Sequence, residues 1–109
     1  MKEYRKTNCK TEATKLFNLF SPKIVAELND HFIKVVKIKG DKVPWHHHDN
    51  SDELFYVIEG ELTMEIESQP ALTLKAGELF VVKKNVEHRV FSKEECKLML
   101  IEQKETAHA

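Results

Sequence analysis

The stretch GDKVPWHHHDNSDELFYVIEG, Gly40 to Gly60, decides the reading of this chain, together with the later GELFVVKKNVEHRVFS, Gly77 to Ser92. Between them they carry His46, His48, Glu53 and His88. Successive side chains on an extended strand alternate faces, so His46 and His48 point the same way, one strand step apart. Asp49, Asn50, Ser51 and Asp52 read as a turn, because Asx and Ser side chains satisfy backbone groups locally. That turn returns Glu53 beside the two histidines, at the head of the run LFYVIE. His88 opens a second extended run and brings a further ligand from a distant strand. Three imidazoles and one carboxylate suit one divalent ion per chain of the borderline type: zinc, nickel, iron, manganese or copper. The competing reading is a solvated polar turn, with Glu53 a surface acid and His88 a hydrogen-bonded strand residue. An expression tag is excluded by position, since the run lies between Trp45 and Asp49. By the same parity His47 faces away, as a surface or interface histidine.

Working outward, turn signals arrive at short intervals and the segments between them are extended. Lys23 to Leu28 and His31 to Lys39 flank Asn29-Asp30, a two-residue hairpin turn. Val43 to His48 forms the ligand strand, followed by Leu54 to Glu59 and, after Gly60, Glu61 to Glu67. In the last of these Leu62, Met64 and Ile66 alternate with polar residues, as in a half-buried strand. Ala71 to Lys75, Leu79 to Lys83, Glu87 to Phe91 and Cys96 to Glu102 complete the set. Eight or so short strands at this spacing predict an all-β, antiparallel sandwich or barrel. The N-terminal part differs: Thr11 to Phe20 places Leu16, Leu19, Phe20 and Ala13 at helical spacing, with Thr11 as N-cap and Ser21-Pro22 as the stop. One short helix is expected there, covering an open face or edge of the sheet.

The two stretches resemble the paired motifs of the cupins. The first motif of that family runs Gly, five residues, His-x-His, three or four residues, Glu, six residues, Gly. Gly40, His46, His48, Glu53 and Gly60 match it at every position. In the second motif Gly77 and His88 match, while Lys83 stands for a proline, Asn85 for a glycine and Ser92 for an asparagine. Asn85 is a mild departure, since Asn tolerates the left-handed conformation. The resemblance covers roughly residues 31–102 and implies an antiparallel jelly-roll β-barrel, the double-stranded β-helix of RmlC-like proteins, with residues 1–22 as a helical N-terminal extension and residues 1–109 as a single domain. It implies His46, His48, Glu53 and His88 as metal ligands. Short single-domain cupins of this look are often labelled similar to mannose-6-phosphate isomerase, but the family includes isomerases, dioxygenases, decarboxylases and non-enzymatic binders.

Composition bounds the rest. A chain of 109 residues is one domain, large enough for a core of its own. Its formal net charge is −1, which gives no electrostatic footprint for nucleic acid or a membrane surface. The N-terminus has no signal-peptide core and no run reaches transmembrane length. Cys9 and Cys96 form no framework and read as two reduced, non-catalytic thiols, which fits a cytoplasmic protein. Sheet edges left by closure need cover, so a homodimer is expected.

By parity with Glu53, Phe55 and Val57 face the interior, with Met64, Ile66, Phe80 and Val82 drawn from neighbouring strands. These predict a substrate pocket that is apolar around one polar metal, suited to a small-molecule ligand. Few further groups are available for proton transfer. His31 and Glu65 are candidates beside the ligands, each competing with an ordinary surface role; Tyr56 lies on the opposite face, and Lys83 and Lys84 read as a solvated pair. Catalytic residues beyond the ligands are not identifiable, and no nucleophile constellation or Gly-rich phosphate loop is present. Two function classes follow. One is a metalloenzyme, isomerase-like or dioxygenase-like, acting on a small oxygen-rich or carboxylate metabolite. The other is a non-catalytic metal or small-ligand binding module, regulatory in character.

Overall fold

Alternation of apolar and polar side chains builds two antiparallel sheets that share one long strand. In a computed structural model, which describes residues 4–104, the order is α1 (Cys9–Thr14), β1 (Lys23–Leu28), β2 (His31–Gly40), β3 (Glu53–Glu59), β4 (Glu61–Ile66), β5 (Leu72–Lys75), β6 (Leu79–Val82) and β7 (His88–Gln103). The larger sheet runs β1-β2-β7-β3-β6, and β4 pairs with β5 and β7. The start of β7 lies against β4, with Ile66 opposite His88 and Thr63 opposite Phe91. Its remainder lies between β2 and β3, pairing Leu98 with Val36 and with Val57. This is the expected jelly roll, with β7 joining its two walls.

The core forms where the inward faces meet. Leu62, Met64, Ile66, Leu74, Val82, Leu98 and Leu100 are buried there with Val36, Ile38, Phe55, Val57, Val90 and Cys96, and Leu72 and Phe80 pack against them half-buried. Gly60 makes the tight β3–β4 connection at φ 96°. A Cβ at Gly60 would lie 2.9 Å from the Glu95 carbonyl oxygen and 3.1 Å from the Cys96 Cα, so only glycine fits that approach. Asn29 turns the β1–β2 hairpin at φ 53°, with Leu28 paired directly to His31.

Three sequence-based expectations need correction. Val43 to His48 is not a strand: it makes one isolated bridge, His46 to His88, because Pro44 has no N–H to give a ladder. The segments Glu87 to Phe91 and Cys96 to Glu102 are one strand of 16 residues; the exposed Lys93, Glu94 and Glu95 interrupt the alternation while the backbone stays extended. The helix does not reach Phe20. It runs Cys9–Thr14, capped by Asn8, whose Oδ1 accepts from Thr11 N at 2.9 Å. Beyond it Phe17 is 96% exposed, and Phe20 has a left-handed backbone, φ 60°, which no helix accommodates.

The helix covers a face, as expected. Ala13 is fully buried and α1 lies against β2, β3 and β7. Cys9 Sγ comes 3.9 Å from Met99 Sδ. Both thiols are free, and burial pushes that of Cys96 up to about 12, which keeps it an unreactive core residue. Among the described residues no helix is long and apolar enough to cross a membrane.

Candidate metal centre

Backbone pairing places the candidate ligands before any side chain acts. His46 and His88 exchange both backbone hydrogen bonds, His46 N to His88 O at 3.0 Å and His88 N to His46 O at 2.9 Å. His48 O accepts from Asn85 N at 2.7 Å, and Asn85 has the left-handed φ, 68°, that its substitution for glycine requires. Asp52 secures the same loop, accepting from Lys84 N at 2.9 Å and pairing with Lys83 Nζ at 3.2 Å. Lys83, where the cupin motif has proline, is therefore held by a neighbouring carboxylate rather than by a rigid ring. The tether lies one residue before Glu53, which heads β3 opposite Val82 of β6 and Glu102 of β7.

The side chains of His46, His48, Glu53 and His88 converge, with one donor atom from each lying within 4.8 Å of all the others. His46 Nδ1 lies 2.8 Å from Pro44 O and His88 Nδ1 lies 2.9 Å from Val86 O. A carbonyl only accepts, so each Nδ1 carries the hydrogen and each Nε2 lone pair is left for a metal. Glu53 Oε1 stands 3.3 Å from His48 Nε2 and 3.7 Å from His88 Nε2. Those are ion-pair distances, yet Glu53 Oε1 and His88 Nε2 are buried and neither has a hydrogen-bond partner. Orphaned buried polar atoms are costly. Two of them aimed at one point fit a divalent cation, and the N3O donor set fits the borderline metals.

Electrostatics prepare this site unevenly. Burial works to raise the Glu53 carboxyl, but the close approach and charge of His48 and His88 outweigh it and hold it at about 2. His48 is raised, chiefly by the Glu53 carboxylate that faces its Nε2. His46 is lowered, chiefly by burial. At neutral pH the carboxylate is ionised and ready to ligate.

A cavity of about 140 Å³ opens beside the cluster. Of the residues expected to form a substrate pocket, Phe55 lines it. Val57, Met64, Ile66 and Val82 are in the packed core and Phe80 lies half-buried against it, so parity puts them on the right face but at the wrong depth. The cavity walls come from elsewhere: Phe20 and Pro22 of the N-terminal segment, Val36 and Ile38 of β2, Val43, and Val90, Leu98 and Leu100 of β7. His31 and Glu65 lie outside the centre, His31 pairing with Asp30 at 3.0 Å and Glu65 with Arg89 at 3.1 Å. His47 also faces out, against Glu87 and Asp49.

Sequence reasoning misses a buried ion pair. Lys34 Nζ lies 2.7 Å from Glu102 Oε1, with side chains only 4% and 0% exposed. Burial raises the Glu102 carboxyl, Lys34 opposes this, and the neighbouring Glu53 adds to the rise. The signal for it is parity: Lys34 shares a face with Val36 and Ile38, and Glu102 with Leu98 and Leu100. From sequence Ser51 is only a turn residue. In the fold its Oγ accepts from Gln103 N at 3.1 Å and donates to Asp52 O at 2.6 Å, tying the turn before Glu53 to the end of β7.

Comparison with known proteins agrees with this geometry. The family model described as Cupin domain matches residues 34–102. The Bacillus subtilis (strain 168) protein YdbB is 38% identical over 68 residues, 62% of this chain and 59% of that protein; the chain thus spans less than two thirds of this relative. The crystal structure of a cupin-2 domain containing protein from Shewanella frigidimarina NCIMB 400 superposes with a TM-score of 0.83 at 41% identity, covering 89% of this chain and 93% of the other. Protein NMB1881 from Neisseria meningitidis superposes with a TM-score of 0.81 at 29% identity, covering 91% and 99%.

Proposed function

The chain belongs to the cupin family, and from that premise we propose that it is a metal-dependent enzyme, isomerase-like or dioxygenase-like, acting on a small oxygen-rich or carboxylate metabolite. One observation carries the reading: Glu53 Oε1 and His88 Nε2 are buried without hydrogen-bond partners beside a cavity lined by His46, His48 and Glu53. A divalent ion held there by His46, His48, Glu53 and His88 supplies Lewis acidity and an electrostatic hold on an anionic oxygen.

The chain's own residues do the remaining work. The Pro44 and Val86 carbonyls fix the tautomers of His46 and His88. Glu53 enters ionised. Three neutral imidazoles and one carboxylate would leave a bound divalent ion with net positive charge, which would favour an oxygen ligand in the cavity. The apolar walls limit the water around it and strengthen that attraction. No Lys or Arg is among the described residues lining the cavity, which argues against a sugar phosphate as substrate and against carrying the mannose-6-phosphate isomerase label over to this chain.

A second reading is favoured by a different observation. Apart from the ligands, no acid or base is among the described lining residues, which suits a binding or regulatory module. Metal analysis of protein purified without added metal, coupled to an oxygen-consumption and ligand-turnover screen, separates the two. Stoichiometric metal with turnover supports the enzyme; binding without turnover for every redox metal tried identifies the module instead. The free thiols suit a reducing, cytoplasmic setting. The exposed Ile24 and Leu28 on edge strand β1 suit burial in a homodimer, which light scattering on the eluting protein tests.

A further inference from the structure

We propose that the site selects a small ligand with a chelating head and an apolar body, and that Phe20 is the residue that sets which bodies fit. The proposal rests on the metal reading above and extends it to the apolar lining of the cavity. Its polar lining is His46, His48 and Glu53; the rest is apolar, with Phe20, Val36, Ile38, Phe55, Leu98 and Leu100 among it. A polar body placed among these side chains would lose its water and find no partner. The cavity volume of about 140 Å³ is close to the roughly 150 Å³ of an apolar cavity that accepts benzene. A ligand whose body is no larger than a ring or short branched chain is therefore the one that fits.

Phe20 reaches this wall from outside the barrel core. The chain leaves α1 on the outer face of the sheet and returns to the cavity at Phe20, whose N–H donates to Lys37 O of β2 at 2.8 Å. Its φ is 60°, a region that resists any side chain and suits glycine. A residue kept in a costly backbone state, with its ring packed on the core and against the cavity, is held there for what the ring touches. Its hydrogen bond goes to Lys37 and not to a metal ligand, so selectivity and metal binding can be read separately.

The test uses the full chain loaded with cobalt(II), and three probes sharing one chelating head: acetohydroxamate, benzohydroxamate and glycolohydroxamate. Cobalt uptake is measured first, then each dissociation constant by calorimetry and by the visible absorption of the ion, with aqueous cobalt(II) as reference. Benzohydroxamate is expected to bind more tightly than acetohydroxamate by about tenfold to a hundredfold beyond any preference of the free ion, from burial of its ring, and glycolohydroxamate most weakly. Phe20→Ala should cut that preference at least about fivefold with cobalt uptake unchanged, and Phe20→Leu should retain most of it. Should Phe20→Ala fold poorly, Phe20→Gly, which relieves the backbone strain, replaces it. Equal affinities relative to the free ion, or glycolohydroxamate binding best, overturns the apolar-body proposal. A preference untouched by loss of the Phe20 ring overturns its role. Failure to take up cobalt overturns the metal reading itself, and this is seen before any ligand is added.

Discussion

His47 and its two neighbours make a comparison within a single tripeptide. His46 and His48 point inward with Glu53 and His88, while His47 points outward between Glu87 and Asp49. Both clusters join imidazole to carboxylate, but they differ in what is satisfied. His47 has a carboxylate near each ring nitrogen, its side chain is 44% exposed, and hydrogen bonding to Glu87 raises its pKa. Inside, the two Nδ1 atoms are taken by carbonyls, while Glu53 Oε1 and His88 Nε2 have no hydrogen-bond partner. The outer cluster is an ordinary solvated ion pair, of small energetic consequence. The inner one carries an unmet cost that a cation removes. Residue type does not make the site; burial with lone pairs left unpartnered does.

The largest expected effect breaks the comparison directly. His48→Ala or His88→Ala should abolish stoichiometric metal binding, whereas His47→Ala should keep all of it, as read by elemental analysis of the purified proteins. Full metal content in His48→Ala would remove the assignment.

The buried pair next to the site extends the contrast between inside and outside. Glu102→Leu leaves the Lys34 ammonium in the interior and should cost about 3–5 kcal/mol in urea unfolding. The double variant Lys34→Met/Glu102→Leu should recover most of that loss. Lys104→Ala, which removes the half-exposed partner of Glu27 on the surface, should cost less than about 1 kcal/mol. A double variant no better than the single would refute this account of the pair.

Chelation should lower the melting temperature but leave a cooperatively folded barrel. Metal at a hundredfold excess over its dissociation constant adds about 2.7 kcal/mol, and the core of Leu62, Met64, Leu98 and their neighbours remains without it. Loss of the whole fold on chelation would make the metal structural and end the enzyme reading.

Acid should release the metal, and the direction follows from the shifts. His48 is raised, so it takes a proton before His46 as pH falls and stops ligating before it. His46 is lowered and resists; Glu53 stays ionised down to about 2. Affinity should therefore begin to fall already above the ordinary histidine value of about 6.5, by about tenfold per pH unit for each proton competing with the metal. In the metal-free protein the sign at His48 reverses. Its raised pKa contributes stability that is present below the ordinary histidine value and lost as pH rises through the shifted one. The gain in melting temperature on adding metal should thus be larger at pH 8 than at pH 5.5, and an equal gain at both would contradict the assignment. Smallest of all, His47→Ala should change stability by no more than about 0.5 kcal/mol.

Much of the barrel is legible from local pattern. Period-two alternation in Leu62, Met64 and Ile66 marks β4, and Asn29-Asp30 marks the first hairpin. Where local pattern misleads, a long-range constraint is responsible. The exposed Lys93, Glu94 and Glu95 hide the continuity of β7, because a strand crossing between two sheets need not alternate there. Leu16, Leu19 and Phe20 imitate a helix, but Asn8 caps one that ends at Thr14, and Phe20 is turned by its contact with β2. Lys34 and Glu102 carry inward parity, yet their charge points the other way, since charged residues are rarely fully buried.

What the sequence determined alone was the donor set. The spacing of His46, His48 and Glu53 and the turn chemistry of Asp49 to Asp52 are local, and strand geometry acts on them residue by residue. Only tertiary structure decided which atoms would be left unsatisfied, and which walls would enclose the cavity. His46 meets His88 through one bridge from a segment that is not a strand, and Phe20 arrives from the N-terminal segment outside the barrel strands. Both depend on contacts between residues distant in the chain, and the depth of a side chain is set by everything packed above it, which no local period records.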